Sequence, residues 1–126
     1  MRYNSEQLHK IVQESLATNN IKQAVAACRE LNNTFPDAFE GWHISGELHR
    51  TLNNPETGLL ATDRALALRP NDSSVELQRV EFLHMLGRRE EAIKLLIEVS
   101  EKNKSFAKEK LNKKETALYL LDKTSI

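Results

Sequence analysis

The sequence predicts an all-α protein made of antiparallel helical hairpins stacked along an axis. Three observations carry that reading. Ala24, Gly58 and Ala92 stand 34 residues apart, and Pro36 with Pro70, Asn19 with Asn53 and Gly87, and the apolar trios Val25, Leu59, Ile93 and Leu31, Ala65, Val99 keep the same spacing. A fixed period of this length marks a repeat array in which each unit buries its apolar face against the next. Apolar residues recur at helical spacing while no stretch alternates at period two. The prolines, three in number, sit at segment boundaries.

Taken in order, Ser5 is read as the cap of a first helix running to about Thr18, with Leu8, Ile11, Val12 and Leu16 as its apolar stripe. Asn19-Asn20 is a turn. A second helix to about Asn33 turns Ile21, Ala24, Val25, Cys28 and Leu31 inward. Pro36 stops it, and Asp37 is read as the cap of a third helix whose inner face holds Phe39, Trp42, Gly46 and Leu48. Asn53-Asn54 before Pro55 signals a fourth helix, to about Arg69, burying Leu59, Leu60, Leu66 and Leu68 to varying degrees. Pro70 with Asn71-Asp72 repeats the stop-and-cap device. Helix five carries Val75, Leu77, Val80, Leu83 and Leu86 before Gly87, read as a left-handed C-terminal cap. Helix six, from about Arg88 to Lys102, turns Ala92, Ile93, Leu95, Leu96 and Val99 inward. The stretch from Ser105 to Ile126 reads as a seventh helix, with Leu111, Leu118 and Leu121 on its apolar face. A terminal helix with a polar outer face is what the end of a repeat stack needs, and the same stretch reads alternatively as the first helix of a truncated fourth repeat or as a connector to a further domain.

Turns of two or three residues force the helices of each pair antiparallel. Gly46 and Gly58, lacking side chains, are expected to let the backbones of one pair approach closely; Val12 with Ala24, and Val80 with Ala92, hold the same two places with slightly more bulk.

Composition bounds the chemistry. A chain of 126 residues, 40% hydrophobic and 29% charged, is one ordinary domain, here residues 1–126, and at 6% aromatic its core must be aliphatic. Basic and acidic residues balance at 18 each, so no overall field draws the chain to nucleic acid or to an anionic membrane. Lys102 to Lys114 holds six lysines but no arginine or interleaved aromatic ring, so it reads as a solvated capping face. Cys28 is the sole cysteine, which excludes an intramolecular disulfide and a cysteine-cluster zinc site; its apolar surroundings make it a buried small hydrophobe. The N-terminal residues contain no apolar signal core, and no run approaches the ~18 apolar residues of a membrane span, so a cytoplasmic location is expected.

In the middle repeat, about Phe39 to Asp72, Trp42, Gly46, Gly58, Ala65 and Pro70 fall in places that resemble the tetratricopeptide repeat. His49 and Thr62 depart from it, where the family prefers Tyr and a large residue. The first repeat, about Ser5 to Ala38, keeps Leu8, Ala24, Leu31 and Pro36. The third, about Ser73 to Phe106, keeps Gly87, Ala92, Leu96 and Val99 but has Glu76 in the Trp place and Lys104 in place of a closing Pro. The resemblance implies a right-handed superhelix of about seven helices, capped by residues 105–123, whose concave groove is lined by the first helix of each pair.

By the same resemblance the groove-facing residues are Glu6, His9 and Gln13 on helix one, Glu40, His43, Glu47 and Arg50 on helix three, and Leu77, Glu81 and His84 on helix five. Such a face suits a basic or polar peptide, with apolar anchors near Leu77 and Met85; an ordinary solvated helix face has the same composition. His9 and His43, one period apart, are placed to stack along the groove. His43 with Glu47, and Glu81 with His84, are spaced to share a helical face, but two-residue pairs are common in Glu-rich helices, and neither a metal site nor a cofactor is expected. Where some relatives clamp a chaperone tail's terminal carboxylate with Lys, Asn, Asn, Lys and Arg, this chain carries His9, Gln13, Ile44, Ser74 and Gln78, so that ligand is not expected.

No phosphate loop, nucleophile elbow or His-Glu-x-x-His motif occurs. The expected function is therefore non-catalytic: a module that binds a peptide or helix of another protein in its groove, with no specific nucleic acid or membrane partner and with homo-oligomers possible. Replacing His43 and Glu47 together is expected to weaken capture without unfolding the chain. The alternative is the N-terminal recruiting module of a larger enzyme of sulfotransferase, glycosyltransferase or hydroxylase type, an option that a stop codon after Ile126 would remove.

Overall fold

Each hairpin turns on a residue that recurs at the 34-residue period. Asn19, Asn53 and Gly87 all adopt left-handed backbone conformations, with φ of 58°, 55° and 74°. Around each, the same two bonds close the preceding helix: Asn20 N–H to Ser15 C=O and Asn19 N–H to Leu16 C=O in the first repeat, Asn54 to His49 and Asn53 to Arg50 in the second, Arg88 to Leu83 and Gly87 to His84 in the third. This is the bond pair of a Schellman cap, and it favours Gly or Asn because other side chains clash in that region. Asn71, with φ 68°, makes the sharp turn after Pro70.

The computed structural model describes residues 2–102. They form α1 (Ser5–Ala17), α2 (Ile21–Thr34), α3 (Phe39–Thr51), α4 (Pro55–Leu68), α5 (Ser73–Met85) and α6 (Arg89–Lys102), with no strand among the described residues. The end of the third repeat, the expected helix over 105–123 and the lysine-rich stretch beyond Lys102 lie outside them. Helices pair as α1–α2, α3–α4 and α5–α6, and α1 packs on α3 as α3 packs on α5. The first helices thus form one row and the second helices another behind it, the arrangement expected from the sequence.

Several details of capping and burial differ from expectation. Asn4, not Ser5, caps α1: its side chain accepts from Gln7 N–H while Gln7 Oε1 accepts from Asn4 N–H, both at 2.8 Å. Asp37 does not cap α3; Ala38 holds that place without a side-chain bond, and Trp42 secures the turn by donating its Nε1–H to the Pro36 carbonyl at 2.7 Å. Asn54 stands at the N-cap of α4 but makes no side-chain cap bond, so Pro55 at the first helical position carries the start signal there. Asp72 does cap α5, accepting from Val75 N–H at 3.1 Å.

On α4 the buried face is Gly58, Ala61, Thr62 and Ala65, while Leu60 is 63% exposed and Leu68 37%. Small residues win the inner positions because helices on both sides approach closely. The tightest approach at Gly46 and Gly58 is not between α3 and α4. A Cβ at Gly46 would run into the Gln78 side chain, and one at Gly58 into the Phe82 ring, so both vacant positions receive side chains of α5 from the next repeat. Phe82, fully buried, supplies bulk beside a pair that lacks the family's large residue at Thr62. Thr62 is itself buried and accepts from Arg79 Nη1 at 3.0 Å.

Glu76, in the family's Trp place, is buried too. Both its carboxylate oxygens take Lys102 Nζ, at 3.1 and 3.2 Å, and the same ammonium reaches Asn71 Oδ1 at 3.0 Å. A bridge from the end of α6 to the start of α5 replaces an aromatic wedge.

Candidate partner-binding groove

The ten residues assigned to the groove fall into two unlike sets. The first surrounds the joint between α1 and α3. Glu6 and His9 on α1 and Glu40 on α3, with Ser5, Leu31, Ala38 and Gly41, line a recess of about 340 Å³. Two of its lining groups are carboxylates and none is a lysine or arginine, so the recess favours a cation or a hydrogen-bond donor. Glu40 Oε1 already meets Arg69 at 3.0 Å, and that guanidinium lies 4.0 Å above the Phe39 ring. Gln13, one turn further along α1, is exposed.

The second set is tied together. Arg50 Nη2 meets Glu47 Oε2 at 2.7 Å, and its Nη1 reaches Glu81 Oε2 on α5 at 3.4 Å. Gln78 donates from Nε2 to Glu47 Oε1 and to the His43 carbonyl, both at 3.1 Å. Ser74 gives its proton to Asp72 Oδ1 at 2.6 Å, so at 3.3 Å from His43 Nε2 it must accept, which assigns the His43 proton to Nε2. These bonds sew α3 to α5 along the groove.

Burial alone would raise the Glu47 carboxyl, but the Gln78 bond and the Arg50 charge outweigh it and hold the group below the usual carboxylate range. Burial likewise opposes the Arg50 charge, and Glu47 and Glu81 overcome it, keeping the guanidinium more strongly protonated than usual. Glu47 is thus engaged, and the His43–Glu47 pair is not an open ligand pair. Among the described residues no group of three or more His, Cys, Asp and Glu side chains is placed to hold a metal ion.

His43 stacks on Phe39 of its own helix, with ring centroids 5.7 Å apart, instead of extending a column with His9. Leu77 is half-buried against the apolar cluster of the third repeat, which includes Val80 and Leu96. Glu81 and His84 are half-buried along α5. In the sequence Gln78 stands out only as a non-matching clamp position, not among the ten groove residues or as the bond between α3 and α5. It is 6% exposed, and its signal was Gly46, whose missing side chain makes the room that Gln78 fills.

No family model matches the sequence, and no curated protein matches it. Solved structures do. The TPR2B domain of yeast Sti1, determined as its pHsp70 complex, superposes with a TM-score of 0.83 at 13% identity, over 94% of this chain and 96% of that one. The first TPR domain of human RPAP3 gives 0.74 at 17% identity, over 95% and 96%. A variant of the O-GlcNAc transferase of Thermobaculum terrenum gives 0.71 at 23% identity over 84% of this chain, which spans only 21% of that one. Together with the repeated helix pairs and their shared turn geometry, these superpositions show that the chain has the tetratricopeptide-repeat fold.

Proposed function

We propose that this is a non-catalytic protein-interaction module that takes a basic or polar segment of a partner along the row formed by α1, α3 and α5. The observation that carries the reading is the recess between α1 and α3, where Glu6, His9 and Glu40 meet without a lysine or arginine in its lining. A lysine or arginine of the partner seated there meets the Glu6 carboxylate and the second oxygen of Glu40, whose Oε1 is held by Arg69, on two separate helices, a geometry that sets register. Leu77 and Met85 supply apolar contact at the far end, and Glu81 and His84 flank them. Likeness to a domain solved with pHsp70 does not bring that ligand here: of the five places read as a carboxylate clamp, Ile44 is buried, Gln78 is bonded to α3, and none is a lysine or arginine.

Crosslinking capture from the source cell tests this, with Glu6→Lys/Glu40→Lys as the groove variant. Both side chains are exposed, so the variant folds, and the partner's yield is expected to drop by about tenfold or more. Equal capture by wild type and variant would remove the groove assignment. This pair is a better probe than His43 and Glu47, whose replacement also loosens the α3–α5 joint.

A second reading rests on the transferase superposition, in which the match covers 21% of a longer enzyme chain. On that reading the module recruits substrate proteins to a catalytic domain in the same polypeptide. The native reading frame decides it: a catalytic domain encoded in continuity supports it, and its absence removes it.

A further inference from the structure

The opposite side of α3 carries another feature. Trp42, Ser45 and His49 point away from Glu40, His43 and Glu47, since residues two apart on a helix lie ~200° apart around its axis. Behind them α2 and α4 diverge, leaving a recess of about 400 Å³ with Val25, Trp42, Leu48 and Leu60 among its walls. That is the size of a small ligand site, and Leu60 at its edge is 63% exposed, an apolar side chain with nothing over it among the described residues. Two arginines, Arg29 on α2 and Arg64 on α4, line it, and no carboxylate does. Among the described residues neither guanidinium is paired with a carboxylate; Arg64 instead lies 5.9 Å from the centre of the Trp42 ring. Two polar atoms of lining residues, Asn32 Oδ1 and His49 Nδ1, lack partners, but both are closed off from solvent and so do not face the recess.

We propose that this outer recess is a second binding site, for an acidic segment of another protein that seats an apolar side chain between α2 and α4 and pairs its carboxylates with Arg29 and Arg64. The charge of the lining selects that occupant. The chain's own lysine-rich stretch, 102–114, is repelled by two guanidiniums, whereas an acidic segment is drawn to them. His49 belongs to this site because it lines the recess between α2 and α4. The site is independent of the groove, since α3 serves each with a different face.

The test is selection of a random-peptide phage library on the full chain, followed by affinity measurement of the enriched peptides. The expected peptides carry Asp or Glu within a few residues of Leu or Phe. Their affinity falls about tenfold or more on Arg29→Gln/Arg64→Gln, and on Leu60→Asp, and is unchanged on Glu6→Lys/Glu40→Lys. All three positions named for change in the recess are exposed, so folding survives, and circular dichroism confirms it for each variant. Enrichment of no peptide that depends on Leu60 overturns the proposal, as does a Leu60-dependent set without acidic residues. Concentration-dependent dimerisation abolished by Leu60→Asp also overturns it, by assigning the recess to a second copy. Because the groove variant is carried in parallel, failure here leaves the groove reading standing, and loss of peptide binding in that variant alone points back to the groove.

Discussion

The joint between the first and second repeats and the joint between the second and third are built differently. At the first, α1, α2 and α3 share one apolar cluster: Leu8, Val12, Ala24, Ala27, Cys28 and Leu31 pack with Ile44 and Leu48. At the second, two glycines admit Gln78 and Phe82, and a polar seam of Gln78, Arg50, Glu81 and Ser74 runs beside them. The same period therefore yields one joint packed by a single aliphatic cluster and one in which a smaller apolar cluster, Phe39, Ala65 and Val75, is supplemented by side-chain insertion and a hydrogen-bonded seam. Their consequences for the groove differ as well. Among the described residues the first joint leaves Glu6 without an ion pair and engages only one oxygen of Glu40, with Arg69, whereas the polar seam has tied Glu47, Arg50 and Glu81 to each other.

The largest expected effect breaks the second joint alone. Gly58→Val places a side chain where the Phe82 ring lies and should cost about 3 kcal/mol, read as a drop in the urea midpoint. The matching change at the first joint, Ala24→Gly, opens helix backbone without a collision and should cost about 1 kcal/mol. Near-equal losses would mean that the two joints are alike after all.

Next in size is the end of the third repeat. Lys102→Met leaves the buried Glu76 carboxylate without its cation and should destabilise by about 2 kcal/mol, a value kept low because Lys102 is itself partly exposed. Glu76→Leu should cost less than Lys102→Met, since it leaves only a partly solvated ammonium behind. The reverse order in thermal melts would contradict the role given to Lys102 as the cation that compensates the buried Glu76.

Asn19→Ala and Asn53→Ala serve as the control that should not separate the joints. Each forces a β-carbon residue without a local polar side chain into the left-handed region, at about 1 kcal/mol apiece, while glycine at either place should be tolerated.

The smallest effect sharpens the comparison by pH. Burial holds the His49 imidazole below its usual 6.5, so the unfolded chain takes up a proton first and stability falls as pH drops from 6.5 toward the folded value. Glu47, held below 4.5, contributes stability that is fully present above 4.5 and is lost as pH falls through its lower folded value. Urea midpoints measured across this range should show an upper step that His49→Gln removes and a lower one that Glu47→Gln removes. A single step surviving both changes would contradict the assignment.

How much of this was legible beforehand follows from what each residue advertises. Asn19, Asn53 and Gly87 announced their turns, because few residues adopt that backbone conformation and the period repeated it. Val12, Ala24 and Leu31 announced burial by helical spacing alone. Capping was harder: Asn4 and Ser5 are both good caps in adjacent places, and only the reach of Gln7 decides between them. The leucines of α4 misled because hydrophobicity marks a buried face only where room exists for it, and Gly58, Ala61 and Ala65 are inside precisely so that neighbouring helices fit closer than leucine allows. The groove residues were placed on suitable helices, yet no pattern in one sequence states that Glu47 and Arg50 spend their charge on α5 while Glu6 and Glu40 keep a recess between them.

The most direct test of that division is the partner's affinity for two charge-reversal variants, one from each joint. Glu6→Lys/Glu40→Lys should lower affinity about tenfold or more, while Glu81→Lys, which disturbs a residue already paired with Arg50, should lower it by no more than about threefold. Strong loss in Glu81→Lys with binding intact in Glu6→Lys/Glu40→Lys would contradict the account, because it would place the partner's charged anchor at the seam and not in the recess between α1 and α3.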